Sequence, residues 1–66
     1  MKDHEIRVVN EKNELDDKIS KLSSFTSTEF FSSLPEKSRL QLNLQLNAMQ
    51  LYSFILGERI SDFVED

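Results

Sequence analysis

The chain has 66 residues, with one glycine, one proline and no cysteine. So few turn-forming residues exclude a β-sandwich or barrel with many tight connections. The lack of cysteine excludes a disulfide scaffold and a thiolate zinc site. Eight basic and twelve acidic side chains give a net charge of −4, so the basic surface typical of proteins that bind DNA or RNA polymers is missing. A chain this short rarely buries enough apolar surface by itself, which leaves self-association as the way to cover it.

The first predicted element is a helix over about residues 3–25, with Asp3 as its N-cap. Its apolar residues recur at helical spacing and form one stripe, which consists of Val8, Leu15, Ile19 and Leu22. Lys12 interrupts that stripe at a position where an apolar residue is expected. The helix therefore has one side suited to packing, with a cation in the middle of it.

A connector is predicted over about residues 26–34. The sequence around it is rich in serine and threonine, and hydroxyl side chains compete with the hydrogen bonds of a helical backbone. A polar linker does not need phenylalanines, yet Phe30 and Phe31 lie here. We therefore expect the connector to fold back on the helices, with a short helical turn capped near Ser27 or Thr28.

A second helix is predicted over about residues 35–63. Ser33 and Glu36 have the spacing of a capping box at its start. Residues 40–47 alternate leucine with glutamine or asparagine, and this period of two is typical of a strand when taken alone. Helix-forming residue types, the absence of β-branched residues and the upstream cap favour a helix instead. Gly57 inside this helix indicates either close approach by another chain or a ligand, or a glycine that is tolerated at a cost of about 1 kcal/mol relative to alanine.

On a helix, the apolar residues of this second segment fall into two stripes. One stripe consists of Leu40, Leu44, Ala48, Leu51 and Ile55, and the other of Leu42, Leu46, Met49, Leu56, Ile60 and Phe63. The first helix can cover only one of them, and the other is too large a patch to leave exposed. The sequence therefore predicts a single all-α domain over residues 1–66, an antiparallel helical hairpin that assembles into a homo-oligomeric bundle. The predicted interface residues are Leu40, Leu44, Leu51 and Ile55.

The segment of residues 40–57 has no charged side chain and approaches the length of a membrane span. Five glutamine and asparagine side chains interrupt it, and burying them in hydrocarbon is costly. The first residues also lack the apolar run of a signal peptide. We therefore expect a cytoplasmic protein that does not bind membranes.

The sequence contains no Ser/His/Asp arrangement, no glycine-rich phosphate loop and no metal-ligand spacing, so we expect neither an enzyme nor a cofactor. Four residues are predicted to converge at the open end of the hairpin: Arg7, Lys12, Tyr52 and Arg59. Cations beside an aromatic face suit a nucleotide, through charge-assisted bonds to phosphate and stacking on the base. The alternative is ordinary surface pairing of Arg7 with Glu11 and of Arg59 with Asp62.

Residues over nearly the whole chain carry a resemblance to a known group of proteins. In the first half they are Arg7-Val8-Val9, Glu11-Lys12, Glu14-Leu15-Asp16, Lys18-Ile19 and Lys21-Leu22, and in the second half Phe31, Leu34-Pro35, Gln45-Leu46, Met49, Tyr52 and Ile55-Leu56-Gly57-Glu58-Arg59-Ile60. With these residues the chain resembles the small helical-hairpin proteins of bacteriophages, including crAss-like phages. That group is placed with the hairpin domain shared by anti-CBASS and anti-Thoeris sponge proteins.

The resemblance implies a non-enzymatic phage protein that acts in the cytoplasm of the infected bacterium. Such proteins assemble as homo-oligomers, commonly hexamers, and trap cyclic di- or trinucleotides or cyclic ADP-ribose isomers between protomers. In the family pattern a lysine of the first helix and an arginine late in the second contact ligand phosphates, and Lys12 and Arg59 match in type and place. The family's base-stacking aromatic lies upstream of the first helix, whereas no aromatic precedes Phe25 here, which moves stacking to Tyr52.

A second function remains open at this point. The leucine, glutamine and asparagine side chains of the second helix also suit a small homo-oligomeric interaction protein that docks a host protein. Retained nucleotide in the purified protein separates the two hypotheses, because only the first one requires it.

Overall fold

The computed structural model describes residues 1–63 and shows an all-α hairpin. Helix α1 spans Asp3–Phe25, a short helix α2 spans Glu29–Ser33, and helix α3 spans Glu36–Ser61. The two long helices pack against each other in antiparallel order, so that His4 near the start of α1 lies against Phe63 beyond the end of α3. The result is a rod of 52 × 14 × 13 Å.

The N-cap of helix α1 lies one residue before the predicted one. Lys2 is the N-cap in an extended conformation, and Asp3 is the first helical residue. The backbone N–H of Lys2 donates a hydrogen bond to the Glu5 carboxylate at 2.9 Å. The prediction of Asp3 as the N-cap is therefore wrong. The acidic side chains of the first turn still complement the positive end of the helix dipole.

The connector folds back through α2, which confirms the expected short turn. Thr28 caps this helix, because its hydroxyl accepts a hydrogen bond from the backbone N–H of Phe31 at 3.1 Å. Phe31 is buried and meets Phe25 edge to face, with 5.9 Å between ring centroids. Phe30 also lies against Phe25 but stays largely exposed. The aromatic cluster thus closes the hairpin at its turn.

The predicted capping box at the start of α3 is wrong. Pro35 is the N-cap and makes no side-chain cap, while Ser33 belongs to the last turn of α2. The Ser33 hydroxyl donates to the carbonyl oxygen of Phe30 at 2.6 Å and is therefore already engaged. Glu36 remains as the acidic residue of the first turn, where it suits the helix dipole.

The alternating segment of residues 40–47 is helical throughout, which confirms the helix interpretation over the strand. Helix α3 ends at Ser61, two residues before the predicted end. The backbone N–H groups of Asp62 and Phe63 bond three residues back, to the carbonyls of Arg59 and Ile60. This tighter bonding closes the last turn and ends the helix.

The two apolar sides of α3 have different environments. The inner face packs on α1 and consists of Leu42, Leu46, Met49, Leu56 and Ile60, all of them half-buried or buried. Leu56 is 0% exposed, and no other side chain of the described residues is as completely buried. The other side, called here the outer face, consists of Leu40, Leu44, Ala48, Leu51, Phe54 and Ile55, and every one of them is exposed.

The outer face includes the four predicted interface residues together with Phe54, which sequence reasoning did not include. Leu51 is 62% exposed and Phe54 63% exposed, whereas large apolar side chains clustered on one helix side are normally covered. Among the described residues, no helix combines the length and apolar character needed to cross a bilayer. The single chain therefore covers one stripe of α3 and leaves the other open, as the two-stripe pattern predicted.

Candidate functional site

Lys12 lies in the interface between α1 and α3 and belongs to a polar cluster. Its ammonium donates to the Asp16 carboxylate at 2.8 Å and to the Ser53 hydroxyl at 3.2 Å. The Ser53 hydroxyl in turn donates to the other oxygen of Asp16. The cation that interrupts the apolar stripe of α1 is thus paired with a polar residue that interrupts the inner face of α3. Buried polar groups are tolerated when they are paired in this way.

Gly57 makes room for this cluster. A Cβ atom built on Gly57 lies 3.2 Å from Cε of Lys12, which is closer than ordinary van der Waals contact. The sequence predicted approach by another chain or a ligand, whereas the group that approaches this glycine is the stem of Lys12 in the same chain. Among the described residues, no other side-chain or non-helical atom approaches this Cβ position within 4 Å.

The hydrogen bond from Lys12, followed by the one from Ser53, lowers the pKa of Asp16 from its ordinary value of 3.8. A carboxyl whose pKa is lower in the folded state stabilises the fold above its unfolded pKa, and this contribution is lost as the pH falls through the folded value. We therefore expect the free energy of unfolding to drop below about pH 4. In Asp16→Asn that drop should be smaller, as measured by urea unfolding at a series of pH values.

Asp17→Asn provides the matched control for this pH dependence. Asp17 pairs with Lys21 on the exposed side of α1, at 3.0 Å. This variant should keep the acid dependence of the unmodified chain. Equal slopes in Asp16→Asn and the unmodified chain would contradict the assignment.

Tyr52 forms a second polar contact between the long helices. Its hydroxyl donates to the carboxylate of Glu11, and this bond raises the pKa of Tyr52, while the nearby Arg59 guanidinium acts in the opposite direction. Arg7 precedes Glu11 by one helical turn and Arg59 follows Tyr52 by two turns. Helical periodicity therefore places the two arginines on the side of the hairpin where Tyr52 meets Glu11.

Within residues 1–63, the guanidinium groups of Arg7 and Arg59 form no hydrogen bond and no ion pair. The local pairs considered from the sequence, Arg7 with Glu11 and Arg59 with Asp62, are thus not formed. Both arginines lie toward the open end of the hairpin from Tyr52, which is 42% exposed. We call the surface formed by Arg7, Glu11, Tyr52 and Arg59 the arginine flank. It combines two guanidinium groups with one exposed tyrosine.

Lys12 is separated from the other three predicted site residues. Consecutive residues on an α-helix point about 100° apart, so Tyr52 and Ser53 reach α1 on different sides of the interface. Tyr52 meets Glu11, whereas Ser53 meets Asp16 and Lys12. The structure therefore groups Arg7, Tyr52 and Arg59 on the arginine flank and ties the Lys12 ammonium to a polar cluster elsewhere.

Sequence reasoning missed Asp16 and Ser53 as partners of Lys12, and it considered Glu11 as a partner of Arg7 rather than of Tyr52. The signal for Ser53 is its position between Met49 and Leu56, where the inner stripe has a polar residue. In an antiparallel hairpin this gap lies opposite the polar gap at Lys12. Within the described part of the chain, a single copy forms no pocket, and no three histidine or acidic side chains gather where a metal ion could bind.

Comparison with curated proteins and with solved structures gives no match. A model of the protein family described as Sequestin matches residues 2–62, which include both long helices and the connector. The name of this family refers to sequestration of a molecule, a binding role rather than a catalytic one, and it is consistent with the resemblance to sponge hairpin proteins. Because the match covers nearly the whole chain, this protein belongs to the Sequestin family.

Proposed function

We propose that this protein is a phage anti-defence sponge. It binds a cyclic oligonucleotide, or a signal of the cyclic ADP-ribose type, and holds it between protomers without hydrolysing it, in the cytoplasm of the infected bacterium. The observation that carries the proposal is the arginine flank, where two guanidinium groups without protein partners in residues 1–63 share one side of the hairpin with the exposed Tyr52. Membership of the Sequestin family supports a sequestering role.

The chemistry of the arginine flank suits such a ligand. A guanidinium presents a planar fork of donors that matches two phosphate oxygens, and an aromatic ring stacks on any base. Because the chain carries a net charge of −4, an anionic ligand must be held by a local group of cations rather than by the field of the whole protein. Arg7 and Arg59 provide that group, and Tyr52 provides the stacking surface.

Lys12 is less available to a ligand than Arg7 and Arg59. Its ammonium is bound to Asp16 and Ser53, so it reaches a ligand phosphate only by exchanging the Asp16 carboxylate for it. Its side chain remains 29% exposed, which gives a ligand access to one side. We therefore rank Lys12 behind Arg59 as a phosphate contact.

The proposed oligomer forms through the outer face of α3, with Leu40, Leu44, Leu51 and Ile55 at its centre, and a hexamer is the expected size. Closed symmetric assemblies are the usual way to cover such a face. In a homo-oligomer every copy contributes an arginine flank, so guanidinium groups of different protomers can meet one multi-phosphate ligand.

The test is a melting screen of the purified protein with cyclic dinucleotides, cyclic trinucleotides and cyclic ADP-ribose isomers. A ligand present at 100 times its dissociation constant stabilises the folded state by about 2.7 kcal/mol, so its melting temperature should rise clearly. Mass spectrometry after heat denaturation should recover the ligand intact. A screen without any shift, or recovery of a cleaved ligand, would count against the proposal.

The second candidate function is docking of a host protein, which the exposure of the outer face favours. In that case the purified protein carries no nucleotide, and its absorbance at 260 nm stays at the level expected from one tyrosine and five phenylalanines. A stoichiometric host protein should then be recovered with it. Excess absorbance at 260 nm that is released on denaturation supports the sponge instead.

A further inference from the structure

Four of the six residues of the outer face are placed symmetrically about one point of α3. Leu40 and Ile55 lie at equal distances along the helix from a point between Asn47 and Ala48, and so do Leu44 and Leu51. Leu40, Leu44, Leu51 and Ile55 are all exposed. A two-fold axis that passes through that midpoint perpendicular to α3 generates a second, antiparallel copy of the helix. Each of these apolar side chains then lies opposite an apolar side chain of that copy. This arrangement is self-complementary.

The charged residues at the two ends of the outer face follow the same symmetry. Lys37 and Glu58 continue the seven-residue spacing of Leu44 and Leu51 in the two directions, so all four lie near one line along α3. Both charged residues are exposed. A second copy in antiparallel order brings its Glu58 to Lys37 of the first copy, and the converse pair forms at the other end.

We propose that two copies of this chain pair through α3 in antiparallel order, about a two-fold axis between Asn47 and Ala48. The inference rests on the self-association in the proposed function and adds its symmetry, register and end pairs. In such an isologous interface each contact occurs twice, which here means two Leu40–Ile55 contacts, two Leu44–Leu51 contacts and two Lys37–Glu58 ion pairs.

The centre of the stripe suits a crossing point. Ala48 has a small side chain that lets two helices approach closely, and Asn47 beside it offers an amide that can bond to its symmetry mate. A single polar residue in an apolar helix seam fixes the register.

The apolar part of the stripe extends over about 22 Å of helix. A stable interface buries about 800 Å² per partner, which is about one sixth of the 5112 Å² accessible surface of the chain.

The experiment uses single-cysteine variants. Because the chain has no cysteine of its own, any disulfide must join the introduced cysteines. Under mild oxidation, Ala48→Cys should form a disulfide-linked dimer, because residues near the axis meet their symmetry mates within disulfide distance. Leu40→Cys should not link to itself, because its two copies lie about 22 Å apart along an antiparallel pair. An unlinked Ala48→Cys, or efficient self-linking of Leu40→Cys, overturns the proposal.

Charge reversal tests the register independently. Lys37→Glu should weaken self-association about tenfold in sedimentation equilibrium, because the symmetry repeats the repulsion twice. Combining it with Glu58→Lys should restore association, whereas an additive loss in the double variant overturns the proposed pairs. The melting screen is a separate readout. An oligomer that binds nucleotide but does not form these cross-links contradicts only the proposed two-fold pairing. A cross-linked dimer that binds no ligand in the screen contradicts only the proposed sponge function.

Discussion

Arg59→Ala is expected to abolish most of the ligand-induced rise in melting temperature. A hydrogen bond to a charged group contributes about 1.5–3 kcal/mol, so its loss weakens binding by about ten- to a hundredfold for each ligand contact. The Arg59 guanidinium has no ion-pair partner within residues 1–63, so its removal breaks no salt bridge there. The melting temperature without ligand should therefore change little, which separates a binding defect from a folding defect.

Arg39→Ala is the matched control for Arg59→Ala, since both are arginines of α3. The Arg39 guanidinium donates to the carbonyl oxygen of Ser32 at 3.0 Å, at the closed end of the hairpin and far from the arginine flank. Arg39→Ala should therefore retain the full ligand-induced shift. If both variants respond to ligand as the unmodified chain does, phosphate is not held by the arginine flank.

The second large effect is expected for Leu56→Ala. Leu56 is 0% exposed, and truncating a buried leucine typically costs about 2–5 kcal/mol, from lost transfer free energy and the cavity left behind. In a domain of this size each kcal/mol lowers the melting temperature by about 4–8 °C. We therefore expect a fall of more than about 10 °C, measured by circular dichroism at 222 nm.

Leu51→Ala removes the same atoms from the outer face and serves as its control. Leu51 is 62% exposed in the single chain, so this substitution costs the hairpin itself little. Its effect should appear only where copies associate, as a weaker dependence of the melting temperature on protein concentration. A concentration-independent loss in Leu51→Ala equal to that in Leu56→Ala would mean that the inner and outer faces are wrongly assigned.

Helix α3 combines two tasks that usually belong to different elements. Its inner face builds the hairpin with α1, and its outer face is left for another molecule. Only Val8, Phe31 and Leu56 are buried apolar residues in the described chain, which is a small core for an isolated domain. Association through the outer face would therefore contribute to folding as well as to assembly.

Helical spacing, residue propensity and composition were sufficient to predict the all-α hairpin and the two stripes of α3. These are properties of a single segment and need no knowledge of its neighbour. The caps were less predictable. Asp3 and Ser33 both have good cap chemistry, yet Lys2 and Pro35 occupy those positions. At the start of α3 the reason is that the last turn of α2 engages the Ser33 hydroxyl.

Where the Lys12 ammonium binds, and which carboxylate the Tyr52 hydroxyl meets, were decided only by the tertiary structure. Both depend on the rotation and register of α1 against α3, which bring Ser53 and Gly57 to Lys12 and Glu11 to Tyr52. The sequence shows that each apolar stripe is interrupted by a polar residue, but it does not determine which polar residue of α1 contacts which polar residue of α3. The register in which these gaps coincide is favoured, because an unpaired polar group buried in the interface costs about 1–3 kcal/mol.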